Sequence, residues 1–341
     1  MNRLLLPLLL GASCVAQAQP AAKAPAAPDY RVAATWPVGG EGGWDYIYVD
    51  HAGGRVYASH GNQVDVLDLA TGHTAGVIPN TAGVHGIVVA RGHGYVSCGR
   101  TNTVAVFDPQ TLRVTATVPA GAKPDALLYD AFSNRVFAFN NGATTATVLD
   151  AATGAAVGTA ELGGAPEAAV SDGQGTIFVN LEDKSEIVAF DAKTLEVRQR
   201  WPVAPGEGPS GLALDRAHRR LFSVCANGKM VVLNADTGQR VAELPIGSGV
   251  DGVVFDEGRQ VAVSSNGSGT ITVVKEDGPN EFRVAQTLAT ARGARTCALD
   301  EITHRIYLPT ADLGPAPAPT PEVPRPRLSI VPNTFRVLVV E

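Results

Sequence analysis

The chain repeats itself with a period slightly above 40 residues, and no single motif constrains its fold as strongly. The recurring line is a small residue, an apolar run, an Asp, a short turn often ending in Arg, two further apolar runs separated by a polar turn, an Asp-x-x-Thr-Gly type turn and a last apolar run. The first Asp of the unit falls at Asp50, Asp130, Asp172, Asp215, Asp256 and Asp300, with Ala90 in its place in the second copy, at steps of 40, 40, 42, 43, 41 and 44 residues. In the fifth copy the four runs are residues 211–214, 221–224, 230–233 and 240–244, too short for helices and rich in Val, Leu and Ile. Four short strands in a unit of this length cannot bury both faces alone, so the copies must pack side by side. That pattern predicts an all-β, seven-bladed β-propeller with four-stranded blades.

The ends of the repeat supply a second argument. The last copy has only three runs, whereas residues 31–38 carry Trp36-Pro37-Val38 fourteen residues before Asp50, just as Trp201-Pro202-Val203 stands fourteen before Asp215. The N-terminal strand is therefore expected to complete the seventh blade and to leave no open sheet edge. Composition agrees: 37 Gly and 23 Pro suit many tight turns, and only 18% of residues are charged. The formal net charge of −6 argues against a surface built to displace counterions from nucleic acid.

Residues 1–18 read as a signal peptide: Met1-Asn2-Arg3, an apolar run over 4–10, and Ala16-Gln17-Ala18 before the cut. Residues 19–29 form an Ala/Pro-rich lead-in, and 30–341 form one propeller. The product is expected to be exported, periplasmic or extracellular, without a membrane span and monomeric; a lipoprotein anchored through Cys14 is the alternative. Cys98, Cys225 and Cys297 have no metal-type spacing and read as buried small hydrophobes.

Residues that recur in nearly every copy serve the fold. The pairs Asp50 and Arg55, Asp130 and Arg135, Asp215 and Arg220, and Asp300 and Arg305 read as hairpin pairs, and Asp68, Asp108, Asp150, Asp191 and Asn234 as turn caps, all on one face of the disc, the bottom. A site is expected where the copies share a position but differ in residue type. Five residues before each first Asp, where the chain enters the channel from the top, stand Asp45, His85, Asp125, Glu167, Ser210, Asp251 and Arg295. All seven are polar in a chain that is 45% hydrophobic.

Arg295 lies in ring order between Asp251 and Asp45, whereas His85, Asp125 and Glu167 form an arc without a strong cation. At separations of ~10 Å, carboxylates in a wet channel repel by about 0.4 to 1.7 kcal/mol per pair, which favours a bound cation, protonated His85 or a cationic ligand group. A divalent cation in the channel is the one cofactor this suggests, held through water more readily than by direct ligation. Trp44 and Tyr46 flank Asp45 and offer either an aromatic wall at the mouth or a plug between blades one and seven. His60 and Arg100 are secondary top-face candidates in the turns between the second and third strands, where Asn62, Asn102, Asn140, Asn180, Asn227 and Asn266 read as turn residues. The long Pro-rich segment 311–332 should emerge beside Arg295 as an extended loop, a lid or a docking arm.

Arg55-Val56-Tyr57-Ala58-Ser59, Val64-Asp65-Val66-Leu67-Asp68, Thr71-Gly72 and Ile177-Phe178-Val179-Asn180 resemble the repeats of the YVTN-type seven-bladed propellers of exported bacterial proteins, related in fold to the quinoprotein amine dehydrogenase β-chain group. The resemblance spans the mature chain and implies the propeller. It leaves function open among ligand, surface or DNA binding and enzymatic activity. No Ser-His-Asp order, P-loop, dinucleotide glycine motif, haem motif or His-Glu-x-x-His helix is present. The sequence therefore favours a non-catalytic propeller that binds a small polar ligand or a partner protein at the top mouth. The alternatives are a metal-assisted hydrolase or lyase, lactonase-like, using ring carboxylates with His85, Asp125 and Glu167 as candidate catalytic groups, and single-stranded nucleic-acid binding at Trp44 and Tyr46.

Overall fold

The computed structural model describes residues 28–320, 326 and 328–341, so the expected signal peptide and most of the lead-in lie outside the described residues. The described strands form seven four-stranded antiparallel sheets. In blades one to six the strands, a to d, run in chain order from the channel outward; blade one is Trp44–Asp50, Arg55–His60, Gln63–Asp68 and Thr74–Ile78. The innermost strand of each blade packs against those of its neighbours, and that of blade seven returns to that of blade one, closing the ring.

Closure uses the N-terminal strand as expected. Val32–Pro37 pairs antiparallel with Arg336–Val340 and becomes strand d of blade seven. Just ahead of it, Tyr30 is buried, its backbone N–H donating to Gln286 Oε1 of blade six at 2.9 Å. The paired Trp-Pro-Val signatures have a packing reason. Trp36 and Trp201 lie against Gly72 and Gly238 of the following blade, where a Cβ would come within 2.3 and 2.1 Å of the indoles. Both glycines have positive φ (72° and 70°), so the Thr-Gly turn supplies the bend and the space together.

The core is not central but divided among the seams. Among the described residues there are seven apolar clusters, the buried members of each drawn from two consecutive blades; between blades five and six, Phe222 stacks on Phe255 with ring centroids 5.0 Å apart. Strands b and c are buried on both faces, which explains their nearly unbroken apolar runs, while strands d are largely exposed. Cys98 and Cys225 are buried, as a hydrophobic reading requires, and Cys297 is partly buried.

The bottom-face Arg residues act differently from expectation. Asp50 and Arg55, Asp130 and Arg135, Asp215 and Arg220, and Asp300 and Arg305 oppose each other in the ladder. Three of these guanidinium groups reach instead into the next blade. Arg55 donates to the carbonyl of Pro109, Arg135 to those of Ala192 and Lys193, and Arg220 to that of Pro279. Arg305 binds Glu341. The turn leaves those carbonyls without strand partners, and a five-donor fork satisfies several at once. The aspartates cap their own turns and also cross seams, as in Asp130 with Ser171 Oγ (2.5 Å) and Asp256 with His304 Nδ1 (2.8 Å).

Candidate functional site

One local device places the mouth residues. In blades one to six the ring residue is the second residue of strand a, and the first residue pairs with the last residue of strand b. The register then shifts at once, between Trp44 and Ile47, Val84 and Ile87, Pro124 and Leu127, Pro166 and Ala169, Pro209 and Leu212, and Val250 and Gly252. Such an irregularity turns a side chain out of the ladder direction, here toward the channel. Proline at the first position of three of these strands is tolerated because the ladder has barely begun.

Buried polar side chains of strand b satisfy the backbone that the shift leaves unpaired. Ser59 Oγ accepts from Asp45 N–H at 2.8 Å, and Ser97 Oγ accepts from Gly86 N–H at 2.7 Å and donates to the Asp125 carbonyl. Asn180 donates to the carbonyls of Ser210 and Gly211 at 3.0 and 2.9 Å. Asn140, Asn180 and Asn266 are therefore buried ends of strand b and not turn residues. Sequence reasoning missed the Ser and Asn supports, although their recurrence near the end of strand b was a usable signal.

The ring residues meet more closely than the ~10 Å anticipated, because the irregularity turns them inward together. His85 Nδ1 lies 2.5 Å from Asp45 Oδ2 and 3.8 Å from Asp125 Oδ1. Arg295 Nη2 donates to Asp45 Oδ1 at 3.1 Å and its Nε to Asp251 Oδ2 at 2.6 Å. Glu167 Oε1 accepts from Asn141 Nδ2 at 2.7 Å. Ser210 is turned away, its Oγ donating to the Val250 carbonyl, so it ties blade five to blade six.

One flanking candidate, Trp44, and one secondary candidate, His60, are buried. Trp44 is buried between blades one and seven, its Nε1–H donating to the Gly293 carbonyl and its ring stacked on Phe335. It plugs the seam and does not line the mouth. Its alignment partners Val84 and Val250 are equally buried, so the repeat already marked this as an apolar position. His60 is likewise buried, its Nδ1 2.7 Å from Asp65 Oδ2 and its ring stacked on Phe335 at 4.2 Å. Neither residue reaches the top surface. Arg100 stays exposed near Asn62.

Tyr46 is the exception in its own row. The residue after each ring residue is Gly86, Ala126, Ala168, Gly211, Gly252 or Thr296 in the other blades, all small. At Gly86 a Cβ would lie 2.7 Å from the Asp125 carbonyl oxygen, so neighbouring strands leave no room there. Tyr46 instead crosses the channel and packs against the cluster of blades three and four. It helps line a cavity of about 190 Å³ with Asp251, Thr296 and Cys297.

Crowding sets the protonation of the mouth. Burial, reinforced by Asp45, pushes Asp125 up to about 7; burial, Asp125 and Asp251 push Glu167 up to about 9. Burial also raises Asp251, only partly offset by Arg295. For His85, burial opposes the charged form, but the bond to Asp45 and the charge of Asp125 prevail and raise its pKa. Near neutral pH the arc of His85, Asp125 and Glu167 therefore holds protons that an incoming cation can replace. Asp125 Oδ1 is buried without a hydrogen-bond partner. Ligand atoms of Asp45, His85 and Asp125 also lie within 4.8 Å of one another, close enough for one metal ion to reach all three.

Residues 142–314 match the protein family PQQ_2, described as outer membrane protein assembly factor BamB. The chain belongs to the PQQ_2 family. The likeness to YVTN-type repeats is thus met in the fold, while the family itself is PQQ_2. No curated protein matches this PQQ_2 chain in sequence. Among solved structures, Kuenenia stuttgartiensis hydrazine synthase is 14% identical with a TM-score of 0.70, covering 78% of this chain and 92% of that one. The RRP9 WD40 repeats are 10% identical with a TM-score of 0.73, covering 94% and 99%. At such identity the two establish a shared propeller fold for this PQQ_2 protein and carry no activity with it. No helix among the described residues is long and apolar enough to cross a membrane.

Proposed function

We propose that the chain is an exported, non-catalytic binding propeller whose top mouth receives a cationic group of a small polar ligand or of a partner protein. The observation that carries this reading is the arc of His85, Asp125 and Glu167, where Asp125 Oδ1 lacks a hydrogen-bond partner and two carboxyls are held protonated by burial and mutual repulsion. Arg295 is already committed to Asp45 and Asp251, so it does not neutralise the arc. An amine or guanidinium entering from above would find acceptors without a committed cation among partly buried side chains. Family membership and WD40-like architecture are in keeping with a binding role.

The metal-assisted hydrolase or lyase is the second reading, favoured by the convergence of Asp45, His85 and Asp125. In it the trio would hold a divalent cation, which would supply an activated water, with Glu167 beside it as the acid or base. Thermal-shift titrations on protein beginning at Gln19 separate the two. Primary amines and guanidines, but not their carboxylate analogues, should raise Tm of the wild type and have little effect on Asp125→Asn or Glu167→Gln. Equal stabilisation of all three proteins would move the site elsewhere, and lactone turnover with added divalent metal would establish the enzyme. N-terminal sequencing of the exported product should begin at Gln19.

A further inference from the structure

A second cluster lies on the opposite face, where blade five meets blade six. Asp215 ends strand a of blade five, His218 follows in the next turn, and Glu276 stands in strand c of blade six. The Asp215 side chain is 0% exposed and that of Glu276 is 1% exposed. His218 Nδ1 lies 2.8 Å from Asp215 Oδ2 and 2.9 Å from Glu276 Oε1.

The other seams show how unusual this is. The backbone N–H of Glu276 donates to the Gln260 carbonyl, and Leu69, Ala151, Ala192 and Ala235 make the same bond to Gly54, Asn134, Gly175 and Arg219 in their own blades. That position is apolar in those four blades, and Ala151, Ala192 and Ala235 are buried. Blade six alone among these five puts a carboxylate there, facing the aspartate of the blade before it. Neither Glu276 oxygen receives a well-formed hydrogen bond.

The nearby cations are already occupied with backbone carbonyls. Arg220 donates to Pro279, His218 and Arg219, and Lys275 to Arg259 and Gln260. Among the described residues the only ion-pair partner of either carboxylate is His218, whose single Nδ1 proton can serve one of them. Two carboxylates and an imidazole nitrogen, all within 4.8 Å of one another, have the chemistry of a first-row divalent metal site.

The geometry points to a divalent transition-metal site of the Zn²⁺ type in the seam between blades five and six, held by Asp215 Oδ2, His218 Nδ1 and a Glu276 oxygen. Zn²⁺ bonds of about 2.0 to 2.2 Å place tetrahedral ligands ~3.3 Å apart, a small outward movement from the contacts found. His218 is 35% exposed, so a water can complete the shell from the bottom face. The ion ties two blades together where other seams use packing and hydrogen bonds, such as Asp130 with Ser171 and Asp256 with His304. A shared proton is the competing account, since burial and Asp215 push Glu276 up to about 7.

Titration of the full chain with Zn²⁺ alone, followed by calorimetry and by the visible absorption of Co²⁺ in its place, decides between ion and proton. The Asp125→Asn variant, altered only at the top mouth, should retain the seam event. Glu276→Gln should weaken it by about 10-fold or more and remove the Co²⁺ bands. His218→Asn, at a partly exposed position, should do the same and guards against a folding defect in the first variant. Absence of Zn²⁺ uptake in the wild type, or unchanged uptake in both seam variants, overturns the site in favour of the proton.

Discussion

His85 and Asp45 meet at 2.5 Å across the seam between blades one and two, and Asp45 carries Arg295 on its other oxygen. One carboxylate thus orders three blades at the mouth. Asp45→Asn should cost about 1 to 3 kcal/mol, because it leaves both partners partly buried and poorly paired. Thermal or urea denaturation measures the loss. The same substitution removes a charge that raises Asp125, so the Asp125 carboxyl should titrate at lower pH, a shift readable by NMR.

Glu167 and Asp125 make stability fall as pH rises. Both carboxyls have folded values above their ordinary ones of 4.5 and 3.8, so the folded state holds more protons than the unfolded state across the interval between. Their contribution is complete below pH 4 and is lost as pH passes about 7 for Asp125 and about 9 for Glu167. Tm should decline from pH 5 to pH 9, and Glu167→Gln should flatten the upper part of that decline. Affinity for an amine should move the opposite way between pH 6 and 9, as the competing protons leave; an affinity that fell with pH would contradict the mouth assignment.

Closure of the ring rests on a small segment. Trp36 packs on Tyr307, 5.3 Å between ring centroids, and against Gly72 of blade one. Trp36→Ala should cost about 2 to 3 kcal/mol. Deleting residues 30–38 should lower Tm by considerably more, and a truncated protein that melted like the intact chain would refute closure.

Arg220 is buried and satisfies three carbonyls and the Asn280 side chain. Arg220→Met keeps the aliphatic bulk but strands those acceptors, at a cost of about 2 to 4 kcal/mol. Arg305→Met, which loses a partly exposed pair with Glu341, should cost under about 1 kcal/mol. Comparing the two variants by denaturation tests whether these arginines are seam fasteners or mere ladder partners of the aspartates.

The fold was legible because it is periodic: strand number, blade number and the closing strand all follow from recurring apolar runs and a displaced Trp-Pro-Val. The mouth was legible as a row, from Asp45 to Arg295, because its position recurs while its chemistry varies. What periodicity could not show was direction. Nothing in the spacing of Asp45 or Glu167 announces the register shift that turns them inward. Whether Arg55 turns toward Asp50 or toward Pro109 depends on the neighbouring blade, which a single unit does not contain. His60 and Trp44 were misplaced for a related reason, as both are buried against Phe335, far away in sequence.

The pairing of Arg31 with Glu341, 310 residues apart in sequence, also sets the order in which the ring can assemble. Six blades are hairpin meanders that can form as their residues become available, but the seventh needs both extremities of the propeller at once. Until then Val32–Pro37 has no ladder to join and Arg336–Val340 lacks a neighbour on its outer side. A chain emerging from its N-terminus must therefore keep its first strand unpaired through the making of all the others. A circularly permuted form opened at a bottom-face turn inside blade four would move that waiting strand to another blade, and its refolding rate would report how much the long-range closure slows the native chain.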